Sequence, residues 1–458
     1  MAVYHALSGE RMEQQKSIAI LGGGVAGLAA GWCAHGSGLP FGIFEKAGRP
    51  GGNCQTFSQD GFRFDSGAHR VHDRDAQATR QLRRLLGDGF KRVAVPSQIF
   101  HRGMFLAFPL QMADLAAKLG WPFLMRVAGE VLVSRLHREA AAVDFAAREL
   151  RNYGPTLARL FLLNYSQKLW GMPCGQLSAE IAGNRLDGLN LAAFLKESFL
   201  PANASARHLE GSFYYPEGGI GAVSAALADG CGETNIRTNA EISRVFHHDR
   251  LIRAVEINRS ETFACSAALS SIPLDRFLRL LDPPPPLEVL QAAATLRFRH
   301  LALVALFLDR EAVTNAATIY FPDQGLPFTR VYEPKNRSAL MAPPGKTSLV
   351  AEIPYSAGDP YERMADEPLI ELVRGHLSGA GLIAERDVVG AAVRRLADAY
   401  PVLEMGVENR RRDIFSYLDG FSNLKVIGRN GMFRYLHIHD LLPAAALAVK
   451  ELRLEDLA

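Results

Sequence analysis

Three glycines, Gly22, Gly24 and Gly27, constrain this chain more than any other feature, because of what stands on either side of them. Before them, Ser17-Ile18-Ala19-Ile20-Leu21 has the unbroken apolar pattern of a short buried strand; after them, Val25 to His35 reads as a helix rich in Ala and Leu. The first glycine permits a tight turn and the second lets the backbone approach a pyrophosphate. The third lets helix and strand pack closely, with Val25, Ala26 and Gly27 opening the helix. Phe41-Gly42-Ile43-Phe44 then reads as a second strand ending at Glu45 and Lys46, about twenty residues on, where a carboxylate is placed to meet ribose hydroxyls. Strand, glycine turn, helix and strand form one βαβ unit that binds a dinucleotide.

FAD and NAD share this fingerprint, and the next segment separates them. Gly48-Arg49-Pro50-Gly51-Gly52-Asn53 is a second glycine turn that brings further amides near phosphate, followed by Gly61 to His69. An NAD dehydrogenase has no use for this second loop, whereas an extended FAD does. FAD is therefore the expected cofactor.

The rest of the chain sets the scale. Its 458 residues are about three times the roughly 150 of a typical domain, and 48% hydrophobic with 22% charged residues is a globular balance. The net charge of +3, with one dense basic run at Arg410-Arg411-Arg412 beside Asp413, argues against a nucleic-acid partner. Cys33, Cys54, Cys174, Cys231 and Cys265 are odd in number and scattered, with no CxxC pair, which fits a reducing cytoplasm better than a disulfide framework or a zinc site. Residues 1–16 read as a loose tail without a secretion signal, and no run approaches the roughly 18 apolar residues of a membrane span. The apolar stretch 104–133 is broken by Gln111, Asp114, Lys118, Gly120, Pro122 and Arg126, so it reads as core or substrate-lining helices. Peripheral membrane contact is the weaker alternative. Oligomeric state is not set by these features.

From Ala76 to about Asn203 the pattern turns helical, as in Ala147 to Leu163, and strand signals nearly vanish. Strands return at Ser212–Tyr215, Asn235–Phe246, Leu251–Asn258 and Ala264–Ile272, with a helix over Ile220–Asp229. Pro283 to Pro286 marks a stiff boundary. Beyond it come strands at Leu301–Leu308 and Ser348–Ile353, a helix near Pro368–Leu377, a strand at Asn423–Gly428 and a closing helix at Leu441–Leu452. The expected fold is α/β: a Rossmann-like FAD-binding domain assembled from discontinuous segments, with an inserted helical domain and a sheet-containing substrate domain. The expected boundaries are 17–75, 212–275 and 398–458 for the FAD-binding domain, 76–211 for the helical domain and 276–397 for the substrate domain.

Seven short pieces, in order, resemble the FAD superfamily that includes amine oxidases, protoporphyrinogen oxidase and the UDP-galactopyranose mutases. They are GGN at Gly51 to Asn53, GAHxxH at Gly67 to His72, FPL at Phe108 to Leu110, KLWG at Lys168 to Gly171, YPEGGIGAV at Tyr215 to Val223, FTRVYEPKN at Phe328 to Asn336, and GRNGMFRY at Gly428 to Tyr435. They are more similar to the mutases and the protoporphyrinogen-oxidase-like proteins than to the amine oxidases. The resemblance implies that Gly22, Gly24, Gly27 and Glu45 hold the adenosine half of FAD, helped by Gly51, Gly52 and Asn53, and that Ile242 offers backbone contacts to the adenine. It places Gly428 and Arg429 toward the flavin, with His437 and Ile438 following, and His69 and His72 on a loop beside it. Each of these histidines has a hydrogen-bonded structural role as its alternative.

A flavin supplies the difficult chemistry, so no catalytic triad is required, and the chain has neither a GxSxG elbow nor an HExxH helix. His437, His439 and Asp440 read as closing the flavin pocket rather than as a metal site. Arg330 in Phe328-Thr329-Arg330 is similar to the mutase arginine that binds the substrate diphosphate, a role suited to a guanidinium. Its alternative is a salt bridge with Glu333. Trp170 and Tyr435 are candidate pocket walls, or core. Two reactions follow on one scaffold: hydride transfer from a small, anionic or nucleotide-sugar substrate to flavin N5, or a redox-neutral mutase reaction in which reduced flavin N5 displaces UDP from a nucleotide sugar. The mutases carry two arginines after KxWG, whereas here Arg185 is followed by Leu189 where the second would fall. In place of their two adjacent tyrosines and aspartate stands Tyr435-Leu436-His437. These departures favour the oxidoreductase.

Overall fold

The structure, a computed structural model, describes residues 17–136, 144–182 and 212–452. The expected tail, Arg185 and Leu189 lie outside the described residues. Contacts divide the chain into two compact units, residues 1–54, 223–296 and 409–458 in the first and 55–222 and 297–408 in the second.

The first unit is built on a five-stranded parallel sheet. Strands β1 (Ile18–Leu21) and β2 (Phe41–Phe44) pair in register, with helix α1 (Val25–Gly36) between them, as the sequence requires. Ala267–Ser270 and Leu424–Val426 add on the β1 side and Ile236–Arg237 on the β2 side, all parallel. Every residue of β1 and β2 is buried, the signature of a sheet covered on both faces. The closing helix, Ile438–Glu451, packs on α1. A second sheet of Glu261–Ala264, Leu251–Ile257, Ile242–His248 and Leu281–Asp282 is joined through buried Asn423, whose amide bonds both backbone groups of Ile252 and the carbonyl of Ser266.

The second unit holds a seven-stranded sheet in the order Val388–Pro401, Phe298–Leu308, Thr347–Tyr355, Arg330–Tyr332, Thr318–Tyr320, Ser97–His101, Met104–Phe108. All neighbours are antiparallel except the fifth and sixth. Leu369, Val373 and Leu377 of the helix Asp366–Gly379 cover one core with Val304, Leu306, Leu349 and Ala351. A second core joins Ile99 and Leu106 of the sheet to Leu115, Leu124, Tyr153 and Leu157 of the helices.

Three expectations are corrected. Strand signals do not vanish after Ala76: Phe90–Ala94, Ser97–His101 and Met104–Phe108 are strands, the last two joined by a tight turn with positive φ at Arg102 and Gly103. The helical segment expected as its own domain therefore shares a unit with the large sheet, through Ser97–His101. The periodic run Ala147–Leu163 is broken at Gly154 (φ +74°) before Pro155, where Thr156 donates its amide and its hydroxyl to Glu130. Finally, the proline run is no unit boundary. Residues 276–296 stay with the first unit, whereas 55–75, 212–222 and 398–408 belong to the second.

Candidate active site

In the first unit the carboxyl ends of the parallel strands gather the glycine turns. Gly22 (φ +99°) donates its amide to Phe44 at 2.9 Å, and a Cβ on Gly27 would fall on the Gly22 carbonyl oxygen. Helix and strand can approach this closely only with glycine there. The second turn is pinned to the first: Gly51 donates to the Gly23 carbonyl at 2.8 Å, and a Cβ on Gly52 would stand 3.1 Å from the Gly24 Cα. Asn53 lies half-buried on this turn and Cys54 closes it onto Gly51. From the third side, Gly428 (φ +84°) would place a Cβ 3.2 Å from that of Ala26.

These backbones surround the start of α1, where Gly24 is the N-cap and no side chain caps the helix. The first helical amides, those of buried Val25, Ala26 and Gly27, are the donors that a helix N-terminus leaves for an anion. Glu45, 9% exposed, accepts from the Gly23 and Ala47 amides, each at 2.8 Å, which fixes the carboxylate at the end of β2 while each oxygen keeps a second lone pair. Exposed Lys46 follows it. The Ala240 amide donates to the Glu45 carbonyl, and Ile242, buried, begins the next strand two residues on. Uncapped amides with a carboxylate at the neighbouring strand end fit a pyrophosphate and its ribose.

Arg429 Nε donates to the Leu436 carbonyl at 2.8 Å and its guanidinium lies 5.1 Å over the Tyr435 ring. Tyr435 thus packs within the first unit, its ring 5.1 Å from that of His437. His437 caps the closing helix, which begins at Ile438, in a reciprocal box with Asp440.

In the second unit a different cluster forms around Gly67. Arg330 Nε donates to Glu352 Oε2 at 2.5 Å and its Nη2 donates to the Tyr400 hydroxyl at 3.0 Å. Glu352 is fully buried, stands opposite Arg330 in the strand register, and accepts from the Ala68 amide at 2.6 Å through its other oxygen. A single carboxylate therefore ties the arginine to the loop Gly67–His69. His69 Nε2 meets the Ser66 hydroxyl at 3.2 Å. Buried Trp170 stands edge-on to Tyr400 with centroids 6.0 Å apart, and Tyr320 pairs with Arg330 across the sheet while its ring meets Tyr165. Burial holds the Tyr165 hydroxyl well above its ordinary pKa, so it is protonated. His72 follows on the same loop, half-buried.

The pairing of Arg330 with Glu333 is corrected. Glu333 is fully buried elsewhere, accepting from the Val313 and Thr314 amides and the Thr347 hydroxyl. Glu352 and Tyr400 were missed by sequence reasoning. A lone carboxylate in the apolar run Ser348–Ile353 was the available signal, since a buried charge needs a partner. Asp65 was also passed over: fully buried, it accepts from Thr56, Tyr215 and the Ile220 amide, and burial raises its pKa.

The sequence profile of the flavin-containing amine oxidoreductase family matches residues 25–416. The chain belongs to this family. It is an FAD-dependent oxidoreductase. A mitochondrial protoporphyrinogen oxidase of Nicotiana tabacum is 34% identical over 70 residues, 15% of this chain and 14% of that protein. Among solved structures, a reduced UDP-galactopyranose mutase superposes with TM-score 0.83 at 20% identity, covering 97% of this chain and 96% of the other. A putative protoporphyrinogen oxidase from Exiguobacterium sp. 255-15 gives 0.76 at 18% identity, covering 96% and 99%. At these identities the two structures establish the α/β flavoprotein fold. Among the described residues, no helix of this oxidoreductase is long and apolar enough to cross a membrane, and no three His, Cys, Asp or Glu side chains are grouped to hold a metal.

Proposed function

We infer that this flavoenzyme oxidises a small substrate carrying at most one negative charge, whose C–H bond gives a hydride to the flavin. FAD, when bound, would supply the hydride acceptor, with O2 or another oxidant as the final electron acceptor. The chain's own part is binding, orientation and electrostatics. The amides of Val25, Ala26 and Gly27 and the second glycine turn hold the pyrophosphate, Glu45 holds the ribose, and Ile242 borders the adenine. Arg429, His437 and Ile438 serve the flavin end. Arg330 orients the substrate's anionic or polar group through the donors left over from Glu352 and Tyr400. Trp170, Tyr165, Tyr320 and Tyr400 shed water from it, and His72 is the candidate proton acceptor.

The observation that carries this reading is the Arg330–Glu352 pair, because the guanidinium's charge is already met by a fully buried carboxylate. A departing diphosphate would need positive charge left uncompensated. The redox-neutral reaction on a nucleotide sugar is the second reading, favoured by the aromatic-Thr-Arg placement of Arg330 beside Tyr400 and Tyr320. The five scattered cysteines support a reducing cytoplasm as the compartment.

Anaerobic mixing separates the two readings. An oxidoreductase bleaches its oxidised flavin when candidate anionic substrates are added without other reductant. If every such substrate leaves the flavin oxidised while a nucleotide sugar turns over after dithionite reduction, the proposal fails and the mutase reading replaces it.

A further inference from the structure

In the second unit the helix Trp121–Leu136 is apolar on more than its inner side. Leu124 and Val127 are buried in the core with Leu115, Tyr153 and Leu157. Trp121, Met125, Ala128 and Leu132, spaced four, three and four residues apart, form a second apolar stripe that faces solvent. Trp121 is 71% exposed, Met125 68% and Leu132 64%. A surface helix ordinarily turns polar residues to water, and an apolar stripe held there marks a surface that something else covers.

Size and charge select the occupant. The stripe is about 16 Å long and one helix wide, on the order of 200 Å², roughly a quarter of what a protein partner buries per side. The flanking helices Met112–Leu119 and Phe145–Leu160 expose no large hydrophobic side chain that would extend it. A lipid surface needs no such minimum area, and tryptophan is at home at its boundary. The helix is about 24 Å long, short of the roughly 30 Å hydrocarbon core, so it would lie in the interface rather than cross it. These three helices together carry six Arg and Lys against three Asp and Glu. Of the acids, Glu149 is fully buried and Glu130 is turned to the Thr156 amide and hydroxyl, whereas the Arg126 side chain, paired with Glu130 at 3.2 Å, is 72% exposed beside the stripe. That balance fits an anionic leaflet.

We propose that the stripe Trp121, Met125 and Leu132 docks this enzyme on an anionic lipid surface, with the helix Trp121–Leu136 lying in the plane of the interface and Arg126 among the headgroups. The surface shares no residue with the Arg330–Glu352 cluster and does not depend on the reaction assigned above.

Flotation of the full-length protein with lipid vesicles tests this. The protein rises with vesicles of phosphatidylcholine containing about one-third phosphatidylglycerol, and less of it rises in pure phosphatidylcholine or at high salt. Trp121→Gln lowers the vesicle partition coefficient roughly tenfold. Trp121→Gln, Met125→Gln and Leu132→Gln together abolish flotation while the melting midpoint and flavin content hold, because all three side chains are exposed; the single Trp121 variant serves if the triple one does not fold. A wild-type protein that stays at the bottom of the gradient overturns the proposal, as does equal partitioning of wild type and variant. Equal binding to pure phosphatidylcholine overturns the anionic requirement. A wild-type dimer that the triple variant loses, with no flotation of either, overturns it in favour of a second copy of the chain on this face.

Discussion

Glu352→Gln tests the electrostatic core of the site. The substitution keeps the shape and keeps an acceptor for the Ala68 amide, but removes the charge that faces Arg330 at 2.5 Å. Breaking a buried ion pair from one side costs about 3–5 kcal/mol, because the remaining charge is left uncompensated. The Arg330 side chain is 17% exposed and keeps its bond to Tyr400, so the low end applies, about 3 kcal/mol. At roughly 1–2 °C per kcal/mol for a chain of this size, the melting midpoint falls by about 3–6 °C. Arg330→Met should cost a similar amount by stranding Glu352, whereas the double variant strands no charge and should cost about as much as either single change. The coupling in this double-mutant cycle is then about 3 kcal/mol, well above the roughly 0.5 kcal/mol scatter of independent sites. Urea denaturation of the four proteins at neutral pH measures it. If the two single costs simply add, Arg330 and Glu352 are not a coupled pair and the charge argument against a diphosphate substrate collapses.

Three further outcomes follow from the geometry. Gly27→Ala, whose Cβ falls on the Gly22 carbonyl, should leave the purified protein largely without flavin, read as the visible-to-ultraviolet absorbance ratio; full flavin content would refute the assignment of that turn. Arg330→Ala should raise the KM of an anionic substrate roughly 10- to 100-fold, the value of one charge-assisted bond of about 1.5–3 kcal/mol, with FAD still bound; an unchanged KM removes Arg330 from the substrate site. Lys168, whose Nζ donates to the Phe321 and Asp323 carbonyls, has its pKa lowered by burial from 10.5 to about 7. Between those pH values the unfolded chain holds more protons, so stability rises with pH there. Lys168→Met should flatten that rise in the melting midpoint, and an unchanged slope would show that Lys168 does not contribute to it.

The dinucleotide half of the molecule was legible because its requirements are local. A strand end, three glycines and a helix start must follow one another within ten residues, and Gly22, Gly27 and Gly52 stand where a side chain collides or the backbone takes positive φ. Arg330 was legible through its neighbours in the chain, but its partner was not. Glu352 lies 22 residues away, and only the strand register sets the two side by side. The strand Phe90–Ala94 carries Lys91 and Arg92 and pairs with Ser212–Pro216, more than a hundred residues on, so its stability comes from a partner that local pattern does not reveal. The break at Gly154 followed the same logic in reverse: helical periodicity ran through Gly154-Pro155, and the two bonds from Thr156 to Glu130 hold the break.

The most direct test is the visible absorption spectrum of the purified protein during titration with UDP, first oxidised and then dithionite-reduced. The account predicts a bound oxidised flavin whose bands UDP leaves unmoved in either state, since Arg330 is already charge-compensated. A spectrum that shifts saturably with UDP would contradict that and establish a nucleotide-sugar site, and a colourless protein would contradict the assignment of FAD itself.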